Sequence, residues 1–211
     1  TYDFQEQILL PLLIFGAYGY LEQKRWSRAL ILIALALLTN EFVVLLVFGF
    51  AGALIIDAYR AGELQERAPV IGTIFGMAVA VRMLAGWVTN QFSEIAGIPI
   101  WAVADPFHPY IETYRTGVSD LIGVLLANPT LISEVLAFHG EDKAVFFVLL
   151  FVPVLFLALS DEITLGTLAP FVGFAWVVAG GVHYYTFGAH YPLYLLPFIY
   201  IGAIRAANRI D

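Results

Sequence analysis

Apolar positions fall into seven runs, residues 8–21, 29–38, 42–59, 69–89, 144–159, 163–180 and 191–207. Runs 42–56 and 144–159 carry no polar stripe at helical spacing, so every face of such a helix must meet other apolar matter. A straight membrane span needs about 20 apolar residues. Several runs are shorter, and Pro11, Pro153, Pro170, Pro192 and Pro197 lie in or beside them. Short, proline-interrupted helices are tolerated where neighbours or a wet cavity satisfy the freed backbone groups. The pattern therefore predicts an all-α, polytopic transmembrane bundle with short and broken helices around a cavity. Runs 29–38 and 42–59 are separated only by Thr39, Asn40 and Glu41, which predicts a tight corner. Residues 90–143 form one long mixed connection, within which 118–126 is apolar but short, as in an interfacial or re-entrant helix. Gly72 and Gly76, one helical turn apart, predict a close helix–helix contact.

Charge adds a direction to this picture. Lys24, Arg25 and Arg28 lie between the first two runs, Arg60 and Arg67 after the third, and Arg205 and Arg209 after the last. If each run crosses a bilayer, all of these cations share one side. The other side carries Arg115 and Lys143 with Asp3, Glu6, Glu41, Glu94, Asp105, Glu112, Asp120, Glu134, Glu141 and Asp142. The cation-rich side is then cytoplasmic, and connection 90–143 is non-cytoplasmic. The protein is expected to be a multi-pass component of the cell membrane. Arg82 is the exception, inside the fourth run; an intramembrane arginine snorkels, pairs, or serves a functional site.

Composition agrees. Of 211 residues, 61% are apolar and 13% charged, against about 25% charged in soluble domains. Mean hydropathy is +0.84. The net charge of -7 reflects acidic loops. With no basic stripe, nucleic acid is not a partner; the expected partners are the lipid bilayer and other membrane proteins. The absence of cysteine excludes disulfides and thiolate metal sites. The chain opens on Thr1, with no basic segment ahead of an apolar one, so residues 1–211 read as a single transmembrane domain, the C-terminal part of a longer protein.

The candidate chemistry gathers on the non-cytoplasmic side. Asp3, Glu6 and Glu41 are oxygen donors of the kind that hold a divalent cation or act as general bases; helix capping accounts for Asp3 and Glu6 as well. Glu41 stands at a two-helix corner, where burial would raise its pKa. His183, Tyr184, Tyr185, His190 and Tyr191 cluster before the last helix. Imidazoles there relay protons, bind metal or donate to phosphate, although an aromatic belt explains the same composition. The spacing of His183 and His190 is not a metal motif. Asp105-Pro106-Phe107-His108-Pro109 is a rigid polar turn on the same side, read as a substrate contact or as ordinary loop. No phosphate-binding glycine loop, zinc-protease helix or serine elbow is present.

Tyr2-Asp3-Phe4, the apolar stretch 9–20, and Leu21-Glu22-Gln23-Lys24-Arg25-Trp26 resemble the "DFHPE … apolar helix … ERRRW" segment of a predicted membrane protein family, domain of unknown function 2079. Leu37-Leu38-Thr39-Asn40-Glu41 resembles its "LLTKE" corner. Gly188-Ala189-His190-Tyr191, continuing through Leu196-Pro197-Phe198, resembles its closing "HY … PF" helix. Gln5, Glu6 and Gln7 stand where that family shows His, Pro and Glu, and Asn40 replaces its Lys. The family is similar to GT-C glycosyltransferases, which use polyprenyl-phosphate-linked sugars on the non-cytoplasmic face. The resemblance implies a GT-C-like fold and sugar transfer from a lipid-phosphate carrier. It implies that His190 contacts the donor phosphate, Glu41 orients donor or acceptor, Tyr191 lines the cavity and Asp3 binds acceptor or cation, with His183, Arg82 and His108 secondary. The acidic residue that GT-C enzymes use as catalytic base lies in an N-terminal part that nothing here matches, so the catalytic residue is expected outside this chain. Two other readings fit the residues: a transporter or flippase, suggested by the broken helices and Arg82, and a non-catalytic subunit of a larger membrane assembly.

Overall fold

The computed structural model describes residues 6–92, 98–99, 103–110, 115–116, 118–178 and 192–210. Their regular elements are helical apart from an antiparallel rung pairing Ile98–Pro99 with Arg115–Thr116. A 3-10 turn, Glu6–Leu9, leads into α1 (Leu10–Glu22), followed by α2 (Trp26–Leu37), α3 (Glu41–Arg60) and α4 (Leu64–Phe92). After residues 98–116 come α5 (Val118–Ala127), α6 (Leu131–Ala137), α7 (Gly140–Phe151), α8 (Glu162–Val172) and α9 (Pro192–Asn208).

Local chemistry sets these boundaries. Pro11 sits in the first turn of α1, where a missing N–H costs nothing. Asn40 caps α3, its side chain accepting from Phe42 N at 2.8 Å. Gly62, at φ +72, provides the left-handed residue that ends α3. Asp161 caps α8, with Oδ1 accepting from Ile163 N at 2.9 Å. Run 144–159 is not one helix. Around Pro153 it breaks into 3-10 turns at Val152–Val154 and Leu157–Ser160, with Leu155 and Phe156 in the left-handed region. Proline has no N–H to continue the ladder.

By length and composition, α3 over Phe42–Arg60 and α4 over Leu64–Val88 can cross a membrane. The α5–α6 pair bends by 113°, as a broken span or re-entrant loop does. The remaining apolar helices, α1, α2, α8 and α9, are shorter. The central element is α3, which packs on α2, α4 and most extensively on α8. Its intimacy with α8 has a specific cause. Pro170 leaves the Gly166 carbonyl without its partner in the helix, and a Cβ on Gly49 would overlap that oxygen and stand 3.0 Å from Cγ of Pro170. Only glycine at 49 lets the two backbones approach this closely. Past Pro170 the helix widens into a π-helical segment, Gly173–Val178. A Cβ on Gly202 of α9 would likewise overlap the Thr164 hydroxyl. Gly72 and Gly76 differ: a Cβ on either would meet no heavy atom within 4 Å. The close contact expected there is made instead at Gly49–Gly166, because α4 turns its glycines away from the bundle.

The main core draws on α1–α4 and α7–α9. A second, smaller core of Val103, Ala104, Phe107, Leu121, Leu131 and Val135 forms a separate lobe. Ala104 N donates to Val178 O at 3.0 Å, fastening the lobe to the end of the π segment. Lys143, only 2% exposed, donates to the carbonyls of Val135 at 2.8 Å and Trp176 at 2.9 Å, tying α6 and the π segment to α7.

Candidate functional site

The two ends of the bundle differ in kind. At one end, five of the cations that the sequence sorts to one side enter a single ion network. Arg205 of α9 is its hub: Nε donates to Asp161 Oδ2 at 2.8 Å, Nη1 to Tyr18 OH at 2.9 Å, and Nη2 to Glu162 Oε1 at 2.6 Å and Asp57 Oδ1 at 2.5 Å. Arg209 reaches Glu162 at 2.7 Å and Asp161 at 3.1 Å, and Arg60 reaches Glu162 at 3.2 Å. Arg67 bridges Asp57 at 3.0 Å and Glu63 at 2.7 Å, and Lys24 bridges Glu66 at 2.8 Å and Glu63 at 3.5 Å. Asp161 is fully buried and Glu162 nearly so. Each carboxylate of the buried part faces at least two cations, the condition under which buried charge is tolerable. In the exposed turns, the charge of Arg67, its hydrogen bond and then Lys24 hold the Glu63 carboxyl below the usual carboxylate range. The hydrogen bond to Glu66 and the nearby carboxylates hold the Lys24 ammonium above its ordinary value.

This network clamps α1, α3, α4, α8 and α9 together at one end. A cavity of about 420 Å³ borders it, lined by Tyr18, Glu22, Asp57, Arg205, Asn208 and Arg209. Residue types and spacing do not single out Tyr18, Asp57, Asp161 or Glu162 as site residues. A signal is nonetheless present: three acids stand at the edges of apolar runs on the cation-rich side, where arginines cannot be buried without counterions.

The opposite end is where α3 and α9 begin. Asp3, His183, His190 and Tyr191 lie outside the described residues, as does the side chain of Glu41. Their described neighbours converge. Glu41 is the first residue of α3. The Phe42 ring beside it lies 5.8 Å from Phe171, 5.4 Å from Phe174 and 5.5 Å from Tyr194 in ring-centroid distance. Phe174 belongs to the π segment that leads toward residue 183, and Tyr194 follows Tyr191 by three residues. The 3-10 turn Glu6–Leu9, just after Asp3, packs on α9.

His108 is held within its own lobe. It sits in the 3-10 turn Asp105–Tyr110, where its Nε2 lies 3.2 Å from the Val103 carbonyl, which it can reach only as a donor. Its Nδ1 is 3.9 Å from Asp105 Oδ1, too far for a hydrogen bond. Arg82 is exposed on α4. A second cavity of about 420 Å³, lined by Lys143, Phe147, Val148 and Trp176 among others, lies between α6, α7 and the π segment and is mostly apolar. Among the described residues no group of three His, Cys, Asp or Glu side chains is placed to hold a metal ion.

No curated protein and no solved structure matches the chain. One family does, described as "Predicted membrane protein (DUF2079)", and the match runs over residues 1–211. A helical bundle that has, among the described residues, two helices long and apolar enough to cross a bilayer agrees with that description. The chain belongs to the DUF2079 family of predicted membrane proteins.

Proposed function

We propose that this chain is part of a GT-C-like membrane glycosyltransferase, which transfers a sugar from a lipid-phosphate carrier on the non-cytoplasmic face. The observation that carries the reading is the convergence of the described neighbours of Asp3, Glu41, His190 and Tyr191 at the end of the bundle opposite the ion network. In this reading the ion-paired end is cytoplasmic, and the lobe over residues 103–137 stands on the far side. His190 donates to the donor phosphate, Glu41 orients donor or acceptor, Tyr191 lines the cavity, and Asp3 binds acceptor or a divalent cation. His183 and His108 border the same face, and the catalytic base comes from outside residues 1–211. The division of labour suits the chemistry: one end is rigidly paired, and the other keeps imidazole and carboxylate for a polar substrate.

The test is turnover of a polyprenyl-phosphate sugar by the full-length protein in vesicles. His190→Ala and Glu41→Ala should each lower turnover at least about a hundredfold, the range for loss of a proton-transfer or charge-stabilising group. Wild-type rates in both variants would remove these assignments. Movement of the lipid-linked sugar across the bilayer without covalent product would replace transfer by transport, a role that the bent α5–α6 pair would also suit.

A further inference from the structure

Side chains on an α-helix lean toward its N-terminus. Arg82 leans the other way: a methyl placed on Gly86, one turn further along α4, would stand 3.4 Å from its Nη1. Arg82 lies on a helix whose most apolar window is only 22% buried. Phe75, Met83, Leu84 and Trp87 are exposed on the same helix. Among the described residues Arg82 enters no ion pair. A cation on a lipid-facing helix is costly, and meeting an anion offsets that cost. The apolar span ends at Val88, which is about 9 Å beyond Arg82 at 1.5 Å per residue. The side chain thus turns toward the nearer membrane boundary, and Gly86 leaves that route clear.

We propose that Arg82, with Gly86 opening its path, binds the phosphate group of a membrane lipid on the face of α4 that the bundle leaves exposed. Phosphate is the anion a bilayer supplies at its boundary, and the planar guanidinium fork meets it with two parallel hydrogen bonds. A carboxylate on a neighbouring transmembrane helix would meet the guanidinium at its own depth and would not call for the turn toward Gly86. The site does not depend on the transferase reading, because the phosphate comes either from bulk phospholipid or from a lipid carrier.

The experiment uses the full-length protein in a phosphate-free detergent, with bound lipid measured by native mass spectrometry. Two matched pairs are titrated: phosphatidic acid against diacylglycerol, and polyprenyl monophosphate against polyprenol. The wild-type protein should hold a phosphate-bearing member at least about tenfold more tightly than its partner, as charge-assisted hydrogen bonds imply. Arg82→Leu should abolish that preference, Arg82→Lys should keep part of it, and Gly86→Leu should remove most of it with the arginine retained. Arg82→Leu places an apolar side chain on an apolar face, so folding is not at risk. Preference for both phosphates supports the site. Preference for phosphatidic acid alone supports it while counting against the lipid-carrier reading, and preference for polyprenyl phosphate alone supports both. Equal binding within both pairs, or an undiminished preference in Arg82→Leu, overturns the proposal; Arg82-dependent capture of another transmembrane protein without phosphate preference overturns it in favour of a protein carboxylate.

Discussion

Replacing Arg205 by methionine keeps most of the side-chain volume and removes the hub of the ion network. Four hydrogen bonds disappear, three of them to carboxylates. Charge-assisted bonds contribute roughly 1.5–3 kcal/mol each, but their sum would overstate the loss, because every carboxylate keeps another cation. Asp161 keeps Arg209 at 3.1 Å, Glu162 keeps Arg209 at 2.7 Å and Arg60 at 3.2 Å, and Asp57 keeps Arg67 at 3.0 Å. The expected destabilisation is therefore about 3 kcal/mol, at the lower end of the range for breaking a buried pair. Arg209→Met removes bonds to two of these acids, Asp161 and Glu162, but that side chain is 45% exposed, and the loss should be about 1 kcal/mol or less. Asp161→Asn separates two roles of one residue. It leaves a good helix cap while removing the charge, and the double variant with Arg205→Met should show coupling of at least about 1 kcal/mol. The assay is unfolding of the detergent-embedded protein by heat or dodecyl sulfate, followed by helicity. If Arg205→Met unfolds within about 1 kcal/mol of wild type, or shows no coupling to Asp161, the network does not clamp the helices.

Gly49→Ala drives a methyl into the Gly166 carbonyl and should cost about 3 kcal/mol or more, beyond usual overpacking because backbone must move. Gly72→Ala, into open space, should leave stability unchanged or slightly raised; equal loss at both sites in the same unfolding assay would contradict the packing of α3 on α8. Stability should also fall in acid through the turn network. Glu63 is held below its ordinary value, chiefly by Arg67, so its contribution is complete above the ordinary carboxylate range. It is lost as pH falls through the depressed folded value. Arg67→Met should flatten that part of the stability–pH curve, and an unchanged acid limb would show that the pairing contributes nothing.

Much of the architecture is legible in the sequence because lipid imposes a simple rule on a chain. Continuous apolar runs mark α1 to α4, α8 together with its π segment, and α9 to within about five residues. Prolines mark Pro153 as a break and Pro170 as an irregularity. Charge sorting alone brings Lys24, Arg60, Arg67, Arg205 and Arg209 to one end, since charges avoid hydrocarbon whatever the fold. The candidate site is legible as a set of residue types on one side, and the structure adds that Phe42, Phe174 and Tyr194 bring its flanks together.

The sequence by itself determined the solvent: apolar runs of this length and a shortage of charge specify a helical protein in a membrane. It also determined which residues stay at the ends of those helices. Only the tertiary structure decided which helix meets which. Gly72 and Gly49 look alike along the chain, yet one faces open space and the other receives a carbonyl freed by a proline over a hundred residues away. Arg205 and Arg209 look alike too, yet one is surrounded by three carboxylates and a tyrosine while the other is half exposed. Helical periodicity fixes the face on which a side chain stands. The neighbour on that face comes from elsewhere in the chain, and local sequence carries no record of it.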